Sequence, residues 1–425
     1  MASKKRGGKA IVVGGSIAGL SCAHALIAAG WEPTVIERSG VPPSRSPTGA
    51  GLGLDPQSRE IISRWISNPD LLHRSTFPLS VDLNRATNSE DKISRTLTRD
   101  ESFGFRAAHW ADLHAILYKS LPPDLVLWGY QFVSFQVSED KSKVVAKAKV
   151  VQTDELVEII GDLLVAADGC LSSIRQQLLP KFKLRYSGYL AWRGVLDFSG
   201  KEDSDTIVGI RRAYPELGDC LYFYLANRTH CVLYELKNKR LNWLWYINGP
   251  EPEMKKILQG TSVTMRVSDD MVKKMHEEAE KVWVPELARV MKETMEPFIN
   301  VIYDSEPLPQ LFWDYVVLVG DAAHPTTPHG LRSTNMSIID AEVLGHCLER
   351  WGLENLHIAL KDFQELRLPV ASDQVLHARK LGRLKQGLIL NDQKTFFNPL
   401  MSTSDECLQL QQRTMPYFQG APTAS

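Results

Sequence analysis

The chain has 425 residues, 44% hydrophobic and 23% charged, with 49 basic and 50 acidic side chains giving a formal net charge of -1. Such a composition belongs to a soluble globular protein with more than one domain, and a near-zero charge without a Lys/Arg stripe interleaved with aromatics excludes a dedicated nucleic-acid binder. The six cysteines lie far apart without CxxC or Cys/His spacing, which predicts neither a disulfide framework nor a metal site and fits a reducing, cytoplasmic compartment.

Lys4, Lys5, Arg6 and Lys9 precede a small-residue run that imitates a signal peptide, but Gly14-Gly15-Ser16 and His24 break it. No other segment is apolar for long enough to span a bilayer, so stable membrane insertion is not expected. Ala10–Val13 instead reads as a strand, Gly14-Gly15-Ser16-Ile17-Ala18-Gly19 as a tight turn, Leu20–Ala29 as a helix closed by Gly30, and Thr34–Ile36 as a second strand ending in Glu37-Arg38. Glycines in such a turn let the backbone approach a pyrophosphate, and the acid at the end of the second strand accepts from ribose hydroxyls. Ser16 stands where the middle glycine of the fingerprint belongs, and its hydroxyl is suited to bond a phosphate.

A Pro/Ser loop holding Arg45 leads to Gly49–Leu54, a glycine-rich segment around Gly51 where backbone can pass close to a flat ring. Phe105–Leu117 has a helical period with Arg106 at its start and Trp110, Leu113 and Leu117 on one face. Strands are expected at 144–151, 156–160 and 163–167, the last delivering Asp168-Gly169. From Tyr189 the pattern changes to aromatic strands, in which Tyr222 and Tyr224 share one face, as do Trp243, Trp245 and Ile247, with a turn at 237–240. A sheet with such a face makes a pocket wall for a planar substrate, or simply a core.

Amphipathic helices are predicted at 269–281 and 285–296. Tyr315–Val319 is a buried parallel strand delivering Asp321, and Pro325 and Pro328 extend the loop that follows. An apolar helical pattern resumes at Asn335, so the carboxylate sits beside a helix start that tolerates anions. Helical patterns at 356–368 and 370–390, separated by Pro369, precede a polar tail from Gln411 expected to be partly disordered. The C-terminal segment either supports a homodimer or covers the pocket.

The runs GGSIAG, DLLVAADGCLSSIR and VVLVGDAAHPTTP, with YSGYLAWRGV and RLNWLWY between them, resemble the class A flavin-dependent aromatic monooxygenases, in particular the branch containing 2,6-dihydroxypyridine 3-monooxygenase. The resemblance implies an α/β fold, a Rossmann-like FAD-binding domain interleaved with a mainly antiparallel β-sheet substrate domain and followed by a helical C-terminal segment. The expected division is FAD-binding at 8–78, 101–185 and 302–355, substrate domain at 79–100 and 186–301, and C-terminal helices and tail at 356–425.

It further implies FAD held by Gly14, Ser16, Ile17, Gly19, Glu37, Arg38, Gly51, Asp168, Gly169, Asp321, Pro328 and Asn335, with NADPH or NADH docking transiently and O2 consumed through a C4a-hydroperoxyflavin. The substrate implied is an electron-rich aromatic or heteroaromatic small molecule. An arginine that reaches FAD in many relatives is replaced by Trp110, so its role falls to Arg106 or is absent. Leu331-Arg332-Ser333 stands where Gly-Gln-Gly is usual. Arg332 is then a candidate for stabilising an anionic flavin or a substrate carboxylate. His329, Tyr222 and Tyr224 are the candidates for handling the substrate proton. The competing readings are an epoxidase or oxidative-rearrangement enzyme acting on an alkene or indole, a flavin halogenase whose tryptophan motif Trp243–Ile247 echoes with Asn248 in place of proline, and a non-catalytic flavoprotein.

Overall fold

The computed structural model describes residues 7–43, 49–140, 142–252, 263–265, 267–390 and 396–423. The basic residues Lys4, Lys5 and Arg6 and the loop residue Arg45 lie outside them. The Ala10–Val13 reading corresponds to a strand at Lys9–Val13 at the centre of a six-stranded sheet, in the order Phe312–Trp313, Val316–Leu318, Leu163–Ala166, Lys9–Val13, Glu32–Glu37, Val126–Trp128. All but the outermost Phe312–Trp313 pair in parallel. Continuous apolar runs form these strands because both faces are covered: the helix Ile17–Ala28 packs with Ser333–Trp351 on one core, and Val144, Ala146 and Ala148 of a three-stranded antiparallel sheet share it. Gly345 permits the two helices to meet, since a Cβ there would lie 2.9 Å from the Ala25 carbonyl oxygen.

The second layer is an eight-stranded sheet ordered Thr264–Met265, Phe298–Asp304, Arg185–Asp197, Arg240–Asn248, Thr229–Leu236, Cys220–Ala226, Val81–Thr87, Ser94–Asp100. It is antiparallel except where Cys220–Ala226 meets Val81–Thr87. Asn238 and Lys239, at φ 61 and 54, make the predicted tight hairpin turn. The helices Asp205–Ala213, Asp269–Val282 and Pro285–Glu293 cover one face, and the other looks toward the parallel sheet. This is an α/β fold with a Rossmann-like unit interleaved with a mainly antiparallel sheet and a helical C-terminal region.

Three sequence expectations are corrected. Phe105–His109 is a strand, not the start of a helix: it pairs with both Gly51–Leu54 and Phe77–Leu79, and this tertiary pairing overrides the helical period until Trp110–Lys119. Pro369 does not divide the C-terminal helix, which runs unbroken over Leu356–Lys385 because a long buried face including Phe363, Val370, Ala371, Val375 and Ala378 holds it through the proline. The tail from Gln411 is packed: the Gln412 amide donates to Asp82 Oδ2 at 3.0 Å, Arg413 pairs with Asp100, and Met415 is buried.

Candidate active site

Between the two sheets lies one cleft of about 1070 Å³. At its dinucleotide end the strand Lys9–Val13 stops at Gly14, whose φ of 107° and close approach to the Ala167 carbonyl leave no room for a side chain. Gly19 is required for the same reason, because a Cβ there would collide with the Gly14 carbonyl. Ser16 caps the helix Ile17–Ala28 by position but makes no side-chain cap bond, and it lines the cleft with Ile17. A free hydroxyl beside open N–H groups at a helix start suits a pyrophosphate.

Glu37 takes the Gly15 amide on Oε2 at 2.7 Å, and the Ser39 amide and hydroxyl on Oε1 at 2.8 Å, which fixes its carboxylate beside the turn. Arg38 is exposed at the strand end. His114, absent from the sequence reading, bonds the Gly15 carbonyl through Nε2 at 2.8 Å and so holds the turn from below.

The two strand-end aspartates differ in role. Asp321 lines the cleft and accepts from Ser333 Oγ at 2.6 Å. Asp168 turns one oxygen onto the next helix, taking the Ser173 amide at 2.8 Å and the Ile174 amide at 3.2 Å, while its buried Oδ1 has no partner among the described residues. Gly169, at φ 80°, and Cys170 form the adjoining wall.

Arg175, 1% exposed, ties these motifs together: it donates to the Asp321 carbonyl at 3.1 Å, to the Ala322 carbonyl at 2.8 Å, and to the Cys170 carbonyl. Behind the loop, buried Asp340 accepts from the Gly320 amide at 2.9 Å, His324 Nε2 at 2.6 Å and Arg367 Nε at 2.8 Å. Burial pushes the Asp340 carboxyl up, but His324 and Arg367 outweigh it and hold it far below the usual carboxylate range. Neither network was read from the sequence. The only signal was an arginine in the first turn of the helix after Asp168-Gly169, and an aspartate on an apolar helix face.

The altered loop is held from both sides. Gly330 and Leu331 have φ of 81° and 55°, so Leu331 occupies a left-handed position that favours glycine. Asn335, buried rather than lining the cleft, clips the loop to Gly51–Leu54 by donating to the Leu331 carbonyl at 2.6 Å and the Gly53 carbonyl at 2.8 Å, and by accepting the Asp55 amide at 3.0 Å. Arg332 is 2% exposed, and its Nη1 is paired with buried Asp55 at 2.7 Å. With its charge answered there, Arg332 braces the loop against the Gly51 strand.

Pro328 and His329 line the cleft, but both His329 nitrogens are engaged. Gln386 Oε1 takes His230 Nδ1–H at 2.9 Å, so His230 Nε2 accepts from His329 Nε2–H at 3.2 Å. The Thr327 hydroxyl donates to the Ala378 carbonyl, which leaves His329 Nδ1 facing the Tyr189 hydroxyl at 3.4 Å. Burial, then His230 and Lys385, push His329 well below the ordinary histidine range, and it stands neutral.

Strand parity corrects the aromatic wall. Tyr222 and Tyr224 point away from the cleft into the helix-covered core, where Tyr222 Oη takes the Glu216 amide at 3.1 Å and Tyr224 Oη takes Arg85 at 3.1 Å. Trp243 and Trp245 share that core. The residues between them face the cleft: Phe223, Leu244 and Tyr246, with Val232, Tyr234 and Arg193 from neighbouring strands. Alternation from Tyr222 and Trp243 held this answer, once the buried face was known to be the helical one. Arg106 is likewise not part of the lining: its guanidinium bonds Thr76 Oγ1 at 2.7 Å and the Thr76 carbonyl at 2.8 Å, and Trp110 forms the wall there.

A family model described as FAD binding domain-like matches residues 186–304, the heart of the antiparallel sheet. The 6-hydroxynicotinate 3-monooxygenase of Pseudomonas fluorescens is 26% identical over 370 residues, 85% of this chain and 88% of its own. The structure of 2,6-dihydroxypyridine-3-hydroxylase from Arthrobacter nicotinovorans superposes with a TM-score of 0.75 at 21% identity, covering 93% of this chain and 97% of that one. Klebsiella pneumoniae HpxO, solved with FAD and uric acid, superposes at 0.72 and 22% identity, covering 89% of each chain. No helix among the described residues is long and apolar enough to cross a membrane. Similarity along most of the chain and a shared fold make this protein an oxidoreductase homologous to the class A FAD-dependent aromatic monooxygenases.

Proposed function

We propose that the chain hydroxylates a hydroxylated aromatic or N-heteroaromatic small molecule, using FAD, O2 and electrons from NADPH or NADH. The observation that carries this reading is the cleft, which joins the Ser16-Ile17 turn and Asp321 to an aromatic wall of Phe223, Tyr234 and Tyr246. Bound FAD would supply the electron storage and oxygen activation. Ser16, Ile17 and Glu37 fit its adenosine diphosphate end, and Asp321, Gly51 and Pro328 fit its other half. Asp168 Oδ1, buried without a partner among the described residues, and the helix start beside Ser16, which has no side-chain cap bond among them, are open polar positions of the kind such a cofactor satisfies.

The chain's own work is then to bind a planar ring against the aromatic wall, fix its orientation and keep the cleft dry. Phe223, Val232 and Leu244 provide the apolar lining that excludes water. Tyr234 and Tyr246, both buried and raised above the ordinary tyrosine range by that burial, remain protonated and serve as hydrogen-bond donors. The named relative acting on 6-hydroxynicotinate supports a hydroxylated pyridine as the first substrate class to test.

The experiment is NADPH and NADH oxidation by the purified yellow protein against a panel of phenols, hydroxypyridines and indoles, followed by product mass. Substrate-stimulated oxidation with a gain of one oxygen is expected. A flavin-loaded protein that consumes neither nicotinamide with any member of the panel would overturn the reading.

A further inference from the structure

Lys385 is a cation hidden behind the cleft wall. It is 2% exposed, at the C-terminal end of the helix Leu356–Lys385, and it is not among the side chains that line the cleft. Its Nζ stands 3.1 Å from the centroid of the Phe223 ring, too close to lie anywhere but over the ring face. Phe223 is itself part of the cleft lining. One aromatic ring therefore separates this ammonium from the space proposed for the substrate.

The ammonium is fixed from behind. Phe223 pairs with Asn84 across parallel strands, and Lys385 Nζ donates to Asn84 Oδ1 at 2.8 Å while the Asn84 amide donates to Thr98 Oγ1 at 3.0 Å. Asp82, on the same face of that strand and fully buried, answers the charge without touching it: its Oδ2 takes the Gln412 amide at 3.0 Å, and its Oδ1 faces the Asn84 amide at 3.4 Å. Asn84 thus bridges a buried charge pair whose positive end rests on Phe223. Beyond Asp82 stand Asp100 and Arg413, and on the cleft side stand His230 and His329. Both histidines are held low first by burial and then in part by Lys385, so its field reaches His329 in the cleft wall. Burial also pulls Lys385 well below the ordinary lysine range, into the neutral region, with Asp82 opposing. A cation on one face of a ring draws the π density toward itself and leaves the rest of the ring receptive to an electron-rich partner.

We infer that Lys385 is a positioning residue for the substrate: acting through Phe223, its ammonium favours a ring that carries an ionised oxygen over the same ring in its neutral form. This rests on the cleft being the substrate end of the flavin site. One ring beyond Phe223, at about 7 Å and an effective dielectric of about 20, a unit charge partly offset by Asp82 alters the ionisation of a bound phenol by about tenfold. The coupling is reciprocal. An oxyanion in the cleft stabilises the ammonium in turn, so that binding above neutral pH draws a proton onto Lys385. Lys385 touches neither substrate nor cofactor, and its whole effect passes through the ring in front of it.

The test reads the ionisation of a bound phenol. 4-Nitrophenol in the FAD-loaded protein is titrated with pH by its phenolate absorbance, and 4-nitroanisole serves as the neutral control. The phenol is expected to ionise about one pH unit lower in wild type than in the paired variant Lys385→Met with Asp82→Asn, which leaves no lone buried charge. 4-Nitroanisole affinity and flavin content should be the same in both proteins, and Lys385→Arg should keep part of the effect. Equal ionisation in wild type and the paired variant, or a loss of 4-nitroanisole affinity as large as that of the phenolate, overturns the inference and leaves Lys385 as a packing residue. Where the variants fail to fold, calorimetry of wild type at about pH 8 decides: phenolate binding, measured in buffers of different ionisation enthalpy, must take up a fraction of a proton and 4-nitroanisole none. Absence of uptake, or a wild type that binds neither probe, also overturns it. Turnover of neutral rings unaffected by the paired substitution removes this inference and keeps the monooxygenase reading. A flavin-loaded protein that shows the phenolate preference but consumes no nicotinamide with any ring does the reverse.

Discussion

His230 and His329 show how a residue type with a functional reputation can be governed by burial. Each ring is enclosed, and His230 is held down at about 3 by burial and by Lys385, with the Gln386 bond only partly offsetting them. For a histidine whose folded pKa lies below the unfolded value, the unfolded chain takes up protons that the native state refuses. Stability is therefore full above about pH 6.5 and is lost as the pH falls, by up to about 1.4 kcal/mol per pH unit per histidine. His377, lowered to about 4, adds to the same trend, while Asp82, pushed up to about 6 chiefly by burial, opposes it below that pH. The melting temperature is expected to drop between pH 7.5 and 5.5, and His329→Asn should flatten that slope. An unchanged slope would mean that His329 is not held neutral in the native state. The sequence placed His329 in the right loop and in the cleft wall, but a ring nitrogen's availability depends on partners from residues 230 and 386, which no local pattern reveals.

At the scale of elements, the strand ends, glycine turns and helix starts were legible because each is written in contiguous residues. The strand Val316–Leu318 stands within a residue of its expected bounds, and the helix Ser333–Trp351 starts two residues before its expected start at Asn335. What misled was competition between elements: the period of Phe105–Leu117 was helical, yet strand pairing claimed its first five residues, and Pro369 was overridden by the face its helix buries. Asp340 belongs to the same category, since its importance lies in joining three elements. It holds the Gly320 backbone from the strand end, His324 from the loop and Arg367 from the long helix. Removing it leaves Arg367 buried and unpaired, a change of about 3–5 kcal/mol. Asp340→Ala is therefore expected to unfold at lower temperature and to lose flavin on gel filtration, because the backbone on which Asp321 stands is no longer anchored. Stability within about 1 kcal/mol of wild type would show that packing alone fixes the loop.

Across the whole molecule, the eight-stranded sheet is tied to the Gly51–Leu54 strand and to the C-terminal helix by polar contacts between residues far apart in sequence. Gly51 donates to Asn242 Oδ1 at 2.7 Å, Lys385 reaches Asn84 Oδ1 at 2.8 Å, and His230 meets Gln386. The C-terminal tail completes this set, and composition gave no warning of it because its anchors include carboxylates on the last two strands of the antiparallel sheet, Val81–Thr87 and Ser94–Asp100. Asp82 is fully buried and receives the Gln412 amide, Asp100 is nearly so and receives Arg413, and Gln57 exchanges two hydrogen bonds with Ala421 at 2.7 and 2.8 Å. Met415 and Phe418 pack on the same core as Phe103 and Phe105. A chain ending at Leu410 would lose all of these at once, exposing apolar surface and leaving Asp82 without its backbone donor. Its melting temperature is expected to fall by several degrees, about what 2–4 kcal/mol produces in a protein of this size. Proteolysis should begin near Ser94–Asp100, the edge strand the tail covers. Flavin content at low temperature should survive, since the tail touches neither Ser16 nor Asp321. A truncated protein that melts with wild type would mean that the tail's contacts in the folded chain are matched by contacts it makes when unfolded. Loss of flavin without loss of stability would instead make the tail part of the cleft's own support.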